Sequence, residues 1–195
     1  MLAGRPSERL DAVAERLQAT AWPVDLTDTD AVENSAASLS LSELDVLVHN
    51  AGCRYQAMSA TPRSTTGGHV RGERFWAVAL TLALLPALRR AHGQVVFVNS
   101  GSGRKVSPGM ASYSASKFAL RAFADSLRDD EPQLRVTTVY PGRVDTDMQR
   151  ELVDFEGGEY TPAKFLRPET VAGVVANVVY TPPDGHVHEV VIRQR

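Results

Sequence analysis

The chain is poor in the residues that build special chemistry. It has one cysteine, Cys53, among 195 residues. A single thiol allows no intrachain disulfide and no thiolate metal cluster. His186 and His188 fall close together, but two histidines without a third ligand make no metal site, and none is expected. The net charge is −2, and the basic residues are scattered. No basic stripe is present of the kind that grips a nucleic-acid backbone, so nucleic acid is not an expected partner. No run approaches the roughly 18 apolar residues of a membrane span, and no membrane partner is expected. The start, Met1 to Pro6, lacks the basic segment and apolar core of a secretory signal, which makes a cytoplasmic location the default expectation.

What remains is ordinary for a globular protein: 43% hydrophobic and 23% charged residues, enough chain for one domain with a full core. Met1 to Arg5 reads as the tail of a strand. Ser7 is a fair N-cap for a helix through Leu10, Val13, Ala14 and Leu17. Ala21 to Leu26 reads as a strand. Thr27 or Asp28 caps a second helix. Leu44 to Val48 is a third strand, and it ends in His49-Asn50-Ala51-Gly52. Cys53 to Trp76 has neither helical nor strand periodicity, and local sequence damage is one reading of it. A helix then runs from Val78 to Leu88, with Pro86 expected to interrupt it. Val95 to Val98 is a buried strand stopped by a Ser/Gly cluster. Arg135 to Tyr140 is another, residues 147 to 166 read as an irregular loop, Pro168 opens a last helix, and His186 to Ile192 is a closing strand. This alternation predicts an α/β fold, a doubly wound parallel sheet with helices on both faces.

Tyr113 and Lys117 stand out within this frame. They are four residues apart in a stretch of helical pattern, so both fall on one face about a turn apart. A phenol loses its proton near pH ~10, and a nearby ammonium favours the phenolate. A tyrosine so tuned can trade a proton with an alcohol or carbonyl. Thirteen residues upstream lies Ser100, at the carboxyl end of the Val95–Val98 strand. Ligands gather at that end of open α/β sheets.

A strand, a serine, a thirteen-residue step and Tyr-x-x-x-Lys resemble the short-chain dehydrogenase/reductase family. The resemblance covers nearly the whole chain outside Cys53–Trp76. It implies one NAD(P)-binding Rossmann-type domain over residues 1–195, with a substrate lid at 147–166. It implies that Ser100 holds the substrate oxygen, that Tyr113 is the acid/base, and that Lys117 holds the nicotinamide ribose and tunes Tyr113. Ser102, two residues too near Tyr113, is set aside. Asn50-Ala51-Gly52 resembles the family's signature along the cofactor. Asp25 falls where an acid contacts the adenine, with Leu26 beside it. Pro141-Gly142-Arg143-Val144-Asp145-Thr146 resembles the turn whose backbone, at Pro141, Gly142 and Val144, grips the nicotinamide carboxamide with help from Thr146. Arg5 follows the strand that reads the adenosine ribose. An arginine there pairs with the 2′-phosphate of NADP, so NADP is expected over NAD.

Two family features are missing. The family's long helix carries an asparagine facing the site, and none occurs between Asn50 and Asn99; alignment puts Glu73 near its place. The family also opens with a strand and a glycine-rich turn whose helix receives the pyrophosphate. Nothing before Arg5 supplies them, so a chain truncated at its first βα unit is expected. The implied function is an NAD(P)-dependent oxidoreductase acting on a small carbonyl or alcohol substrate, a homodimer or homotetramer if complete. The alternative is a catalytically silent member acting as a binding or structural subunit. An epimerase or dehydratase acting on a sugar nucleotide is disfavoured by the short region after Thr146.

Overall fold

The computed structural model describes residues 1–52 and 66–195, with side chains described from Trp76 in the second stretch. Its strands are β1 (Leu2–Gly4), β2 (Ala21–Pro23), β3 (Val46–His49), β4 (Gln94–Val98), β5 (Arg135–Pro141) and β6 (Glu189–Ile192). Between them run α1 (Glu8–Arg16), α2 (Thr29–Ser38), α3 (Thr66–Ala91), α4 (Ala111–Asp130), α5 (Asp147–Phe155) and α6 (Pro168–Val179). All the strand pairings are parallel, which agrees with the α/β class.

The helix starts follow from local chemistry. Ser7 accepts from the Leu10 amide at 3.3 Å and so caps α1. Asp28, rather than Thr27, caps α2 by accepting from the Ala31 amide at 3.0 Å. Each satisfies one of the amides that a helix start leaves free.

Two expectations need correction. Pro86 does not interrupt its helix: α3 runs through it to Ala91. The ring lies on the exposed side, where water can take the carbonyl that a proline leaves unpaired. Residues 147–166 are not one irregular loop either. Thr146 Oγ1 accepts from the Gln149 amide at 3.2 Å and caps α5, which buries Leu152 and Val153. A single 3₁₀ turn follows at Pro162–Lys164. The expectations for the odd stretch from Cys53 and for Glu73 lie outside the described residues, apart from the α3 backbone.

The sheet is divided. β3, β4, β5 and β6 lie side by side in that order, while among the described residues β1 and β2 pair only with each other. The larger sheet holds the fully buried Val95, Val96, Phe97, Val136 and Val139. α3 and α4 cover one face through Leu84, Leu88, Leu120 and Leu127, and α6 covers the other, where Val178 packs on Val96 and Val139. Burying each such aliphatic side chain stabilises the fold by roughly 1.5–3 kcal/mol. β2 joins the same core through Trp22 and the Val24 that follows it, and α2 through Val32 and Ala36, in one cluster with the apolar face of α3. Between β1 and β3 lies a cavity of about 670 Å³, lined by Leu2 and Ala3 on one side and by Val46, Leu47 and His49 on the other.

Candidate active site

The carboxyl ends of β3, β4 and β5 open into a second cavity, of about 810 Å³. Asn50, Ser100, Tyr113, Pro141, Gly142, Val144 and Thr146 all line it. The parallel register aligns the strand ends, because Val48 lies opposite Val96 and Val98 opposite Val139. Residues that follow those strands therefore converge, although nearly a hundred positions separate Asn50 from Thr146.

Tyr113 and Lys117 share a face of α4, and both are buried, at 8% and 4% exposure. The Lys117 Nζ lies 5.5 Å from the centre of the Tyr113 ring. An ammonium held in so dry a place acts strongly on its neighbours. Ser100 extends from the end of β4 as the cap of a short turn, and its Oγ accepts from the Ser102 amide at 3.2 Å. That bond orients the hydroxyl and uses an acceptor position, so the hydroxyl proton remains for a ligand oxygen. Ser102 does not reach this cavity.

A positioning residue went unnoticed in the sequence. Asn99 is buried, its Oδ1 accepts from the Ser100 amide at 2.8 Å, and its Nδ2 donates to the Lys117 carbonyl at 3.1 Å. One side chain thus ties the serine to the helix that carries Tyr113 and Lys117. Gly103 makes this possible: a Cβ there would come within 2.6 Å of Asn99 Oδ1 and 2.9 Å of the Lys117 carbonyl. The sequence signal was an asparagine directly before the serine, with a glycine four further on. Glu189 braces the other side. It accepts from the Tyr140 hydroxyl at 3.0 Å and lies 3.6–3.7 Å from Arg104 and Arg121. Burial, reinforced by that carboxylate, raises the Tyr140 phenol to about 12, so it stays protonated.

The remaining predicted residues lie apart. Leu26 and Ala51 face the cavity between β1 and β3, which Asn50 also borders. Gly52 lines neither cavity. Arg5 and Asp25 follow the ends of β1 and β2 at the surface. The Asp25 carboxylate accepts from the Thr27 amide at 2.9 Å and the Thr27 hydroxyl at 2.8 Å. These bonds hold its pKa below the usual carboxylate value, and the nearby Arg5 adds a smaller pull in the same direction. Among the described residues no cluster of three or more metal-ligating side chains occurs, and no helix is long and apolar enough to cross a membrane.

Comparison with known proteins places the chain in a family. The family model for short chain dehydrogenases matches residues 1–157. Among curated proteins, the chain is 33% identical over 177 residues to dehydrogenase/reductase SDR family member 7B of Bos taurus, covering 82% of this chain and 54% of that protein. It is 34% identical over 209 residues to glycine betaine reductase ATRR of Emericella nidulans, covering all of this chain and 16% of that protein. The chain thus spans about half the length of the first and a sixth of the second. Among solved structures, an alcohol dehydrogenase from Thermococcus sibiricus, complexed with 5-hydroxy-NADP, superposes with a TM-score of 0.84 at 22% identity, over 99% of this chain and 84% of that one. Serine dehydrogenase from Escherichia coli superposes with a TM-score of 0.80 at 25% identity, over 97% of this chain and 83% of that one.

Proposed function

The chain belongs to the short chain dehydrogenase family of oxidoreductases, and from that membership we propose that it interconverts an alcohol and a ketone or aldehyde, with NADP preferred over NAD. One observation carries the reading: Asn50, Ser100, Tyr113 and Thr146 all open onto a single cavity, with Lys117 buried close to Tyr113. The residues around that cavity fit the nicotinamide end of such a cofactor, since the backbone of Pro141 to Val144 brings polar groups to the strand ends, and the Thr146 hydroxyl shapes that turn by accepting from the Gln149 amide and donating to the Val144 carbonyl.

The nicotinamide, when bound, supplies the hydride that reduces the carbonyl carbon. Tyr113 donates its hydroxyl proton to the carbonyl oxygen as the π pair moves onto that oxygen. The Ser100 hydroxyl donates a hydrogen bond to the same oxygen and stabilises the charge that develops there. Lys117 stabilises the phenolate left on Tyr113, so the proton can be replaced from solvent.

The preference for NADP rests on Arg5. Arg5 follows β1 at the surface, and its guanidinium can pair with a 2′-phosphate. The NADP analogue held by the Thermococcus sibiricus relative supports the same choice.

The test is Tyr113→Phe, which keeps the ring and removes the proton. Carbonyl reduction should fall at least about a thousandfold, within the range of lost acid catalysis, while NADPH binding followed by fluorescence stays within about twofold. Comparable turnover by variant and parent removes Tyr113 from the chemistry. A second reading, a non-catalytic binding subunit, is favoured by the cavity between β1 and β3, where no described strand joins the two sheets. Saturable NADPH binding with no turnover over a panel of aldehydes and ketones would select it.

A further inference from the structure

Another cleft meets the active-site cavity at Ser100. It has a volume of about 460 Å³ and passes between the turn after β4 and the segments that follow β5 and β6. Three cations line it, Lys105, Arg143 and Arg193, against one acid, Glu156. The charges do not cancel. Arg143 Nη2 donates to Glu156 at 2.8 Å, so the one carboxylate is matched by one arginine. Arg193 Nη1 donates to the carbonyls of Tyr140 and Ile192 at 3.0 and 3.2 Å, which fix it in place and neutralise nothing. Its guanidinium lies against Gly101, the residue after the candidate catalytic serine, where an added Cβ would come within 2.9 Å of Nη2. Lys105 has no carboxylate within salt-bridge distance among the described residues. The chain as a whole carries a net charge of −2, so this local excess of two positive charges runs against the average.

We infer that this cleft receives an oxyanion of the substrate, so that the protein acts on a carbonyl or alcohol compound bearing a carboxylate or phosphate, with Lys105 and Arg193 as the groups that select it. The inference deepens the reductase reading and rests on it. Three features support it. The cleft shares Ser100 with the cofactor-side cavity, so a molecule whose carbonyl oxygen reaches Ser100 extends its far end between these cations. A pre-positioned guanidinium loses little freedom on binding an oxyanion. A cleft lined by one sign of charge also concentrates ligands of the other sign before they dock.

The experiment compares matched probes. Acetoacetate is set against its uncharged methyl ester, and hydroxyacetone phosphate against hydroxyacetone. Each is measured by saturation-transfer NMR binding and by kcat/KM with NADPH, on the parent chain, Lys105→Ala, Lys105→Arg and Arg193→Gln. At least one anionic probe should be preferred over its neutral partner by about tenfold or more. Lys105→Ala should remove most of that preference, Lys105→Arg should restore it, and the neutral partner should stay unchanged within twofold. The arm that shows the preference tells a carboxylate from a phosphate. Anion-selective binding without turnover of any probe would support the cleft and sink the reductase reading. Equal binding of charged and neutral partners, or an equal loss for both in Lys105→Ala, would overturn the inference whether or not turnover occurs.

Discussion

The two sheets are built alike, from parallel strands with helices between them, yet they hold together differently. In the larger sheet each strand pairs over four or five residues with a neighbour, and both faces are covered by helices. The smaller sheet has three paired positions, Leu2 with Ala21 through Gly4 with Pro23. It reaches the core through the side chains of Trp22 and Val24 and through α2, whose Val32 and Ala36 join the same cluster as α3. Among the described residues its inner edge faces a cavity and no strand. In the proposed reading the nicotinamide end and the proton-transfer groups go with the larger sheet, and Arg5 and Asp25 with the smaller one. The chemistry would then sit on the part with its own hydrogen-bonded frame, and cofactor choice on the part held by packing.

That contrast can be tested, and the largest effect should come from filling the cavity. A strand, glycine-rich turn and helix fused ahead of Met1 would give β1 and β3 main-chain partners and supply amides for a pyrophosphate. Each buried backbone group so satisfied is worth roughly 1–3 kcal/mol. A rise in melting temperature of roughly 10 °C or more is expected, with a large gain in NADPH affinity by fluorescence titration. Equal values for both forms would show that the two sheets need no link.

Loosening the smaller sheet should have the next largest effect. Trp22→Ala removes a ring that packs on the core and donates from Nε1 to Ser35 Oγ at 2.6 Å. The loss should be about 3–5 kcal/mol, and hydrogen exchange should quicken first in β1, β2 and α2. Uniform quickening through β4 and β5 would mean that the halves unfold as one.

A pH dependence should come from the boundary between the two. His49 is buried at the edge of the cavity, stacked 4.8 Å from Phe97. Thr81 gives its hydroxyl proton to the Ala77 carbonyl, so the His49 Nε2 contact at 2.8 Å must be a donation from His49. That donation puts one proton on Nε2, and Nδ1 is buried without a partner, so near neutral pH burial keeps the ring uncharged with Nδ1 unprotonated. Burial lowers its pKa from 6.5 to about 3. Between those values the unfolded chain binds a proton that the folded chain refuses. Stability is present above pH 6.5 and falls as pH drops toward 3, by at most about 1.4 kcal/mol per unit. His49→Gln should flatten the decline of melting temperature from pH 6.5 to 4.5. A decline of the same slope in the variant would place the acid sensitivity elsewhere.

The smallest effect should be on cofactor choice. Arg5→Asp should move the ratio of kcat/KM for NADPH over NADH by about fivefold toward NADH, since one exposed charge pair is worth on the order of 1 kcal/mol. The Tyr113 chemistry on the other sheet should not change. An unmoved ratio would leave Arg5 a loop residue.

What could be read from the sequence was local. The phase of Tyr113 and Lys117, the apolar run into Ser100 and the turn after β5 all lie within a few residues of the elements that define them. α5 was missed because Gly157, Gly158 and Pro162 outweighed a cap at Thr146 and a short apolar face at Leu152 and Val153. Continuity through Pro86 depended on which way the ring faces, which tertiary packing decides. The Asn99 bridge, the divided sheet and the cation-lined cleft join residues far apart in the chain, and no local period encodes them.

The Asn99 bridge also bears on how freely the chain could be cut. Ser100 is registered against α4 across space, by two hydrogen bonds of 2.8 and 3.1 Å, and not by the length of the segment from 104 to 110. That segment carries the exposed Val106 and no regular structure. It runs between two points that Asn99 already fastens to each other. A circular permutant opened between Ser107 and Pro108, with its old ends joined by a flexible tether, would still bring serine, tyrosine and lysine together, because the fastening survives the cut.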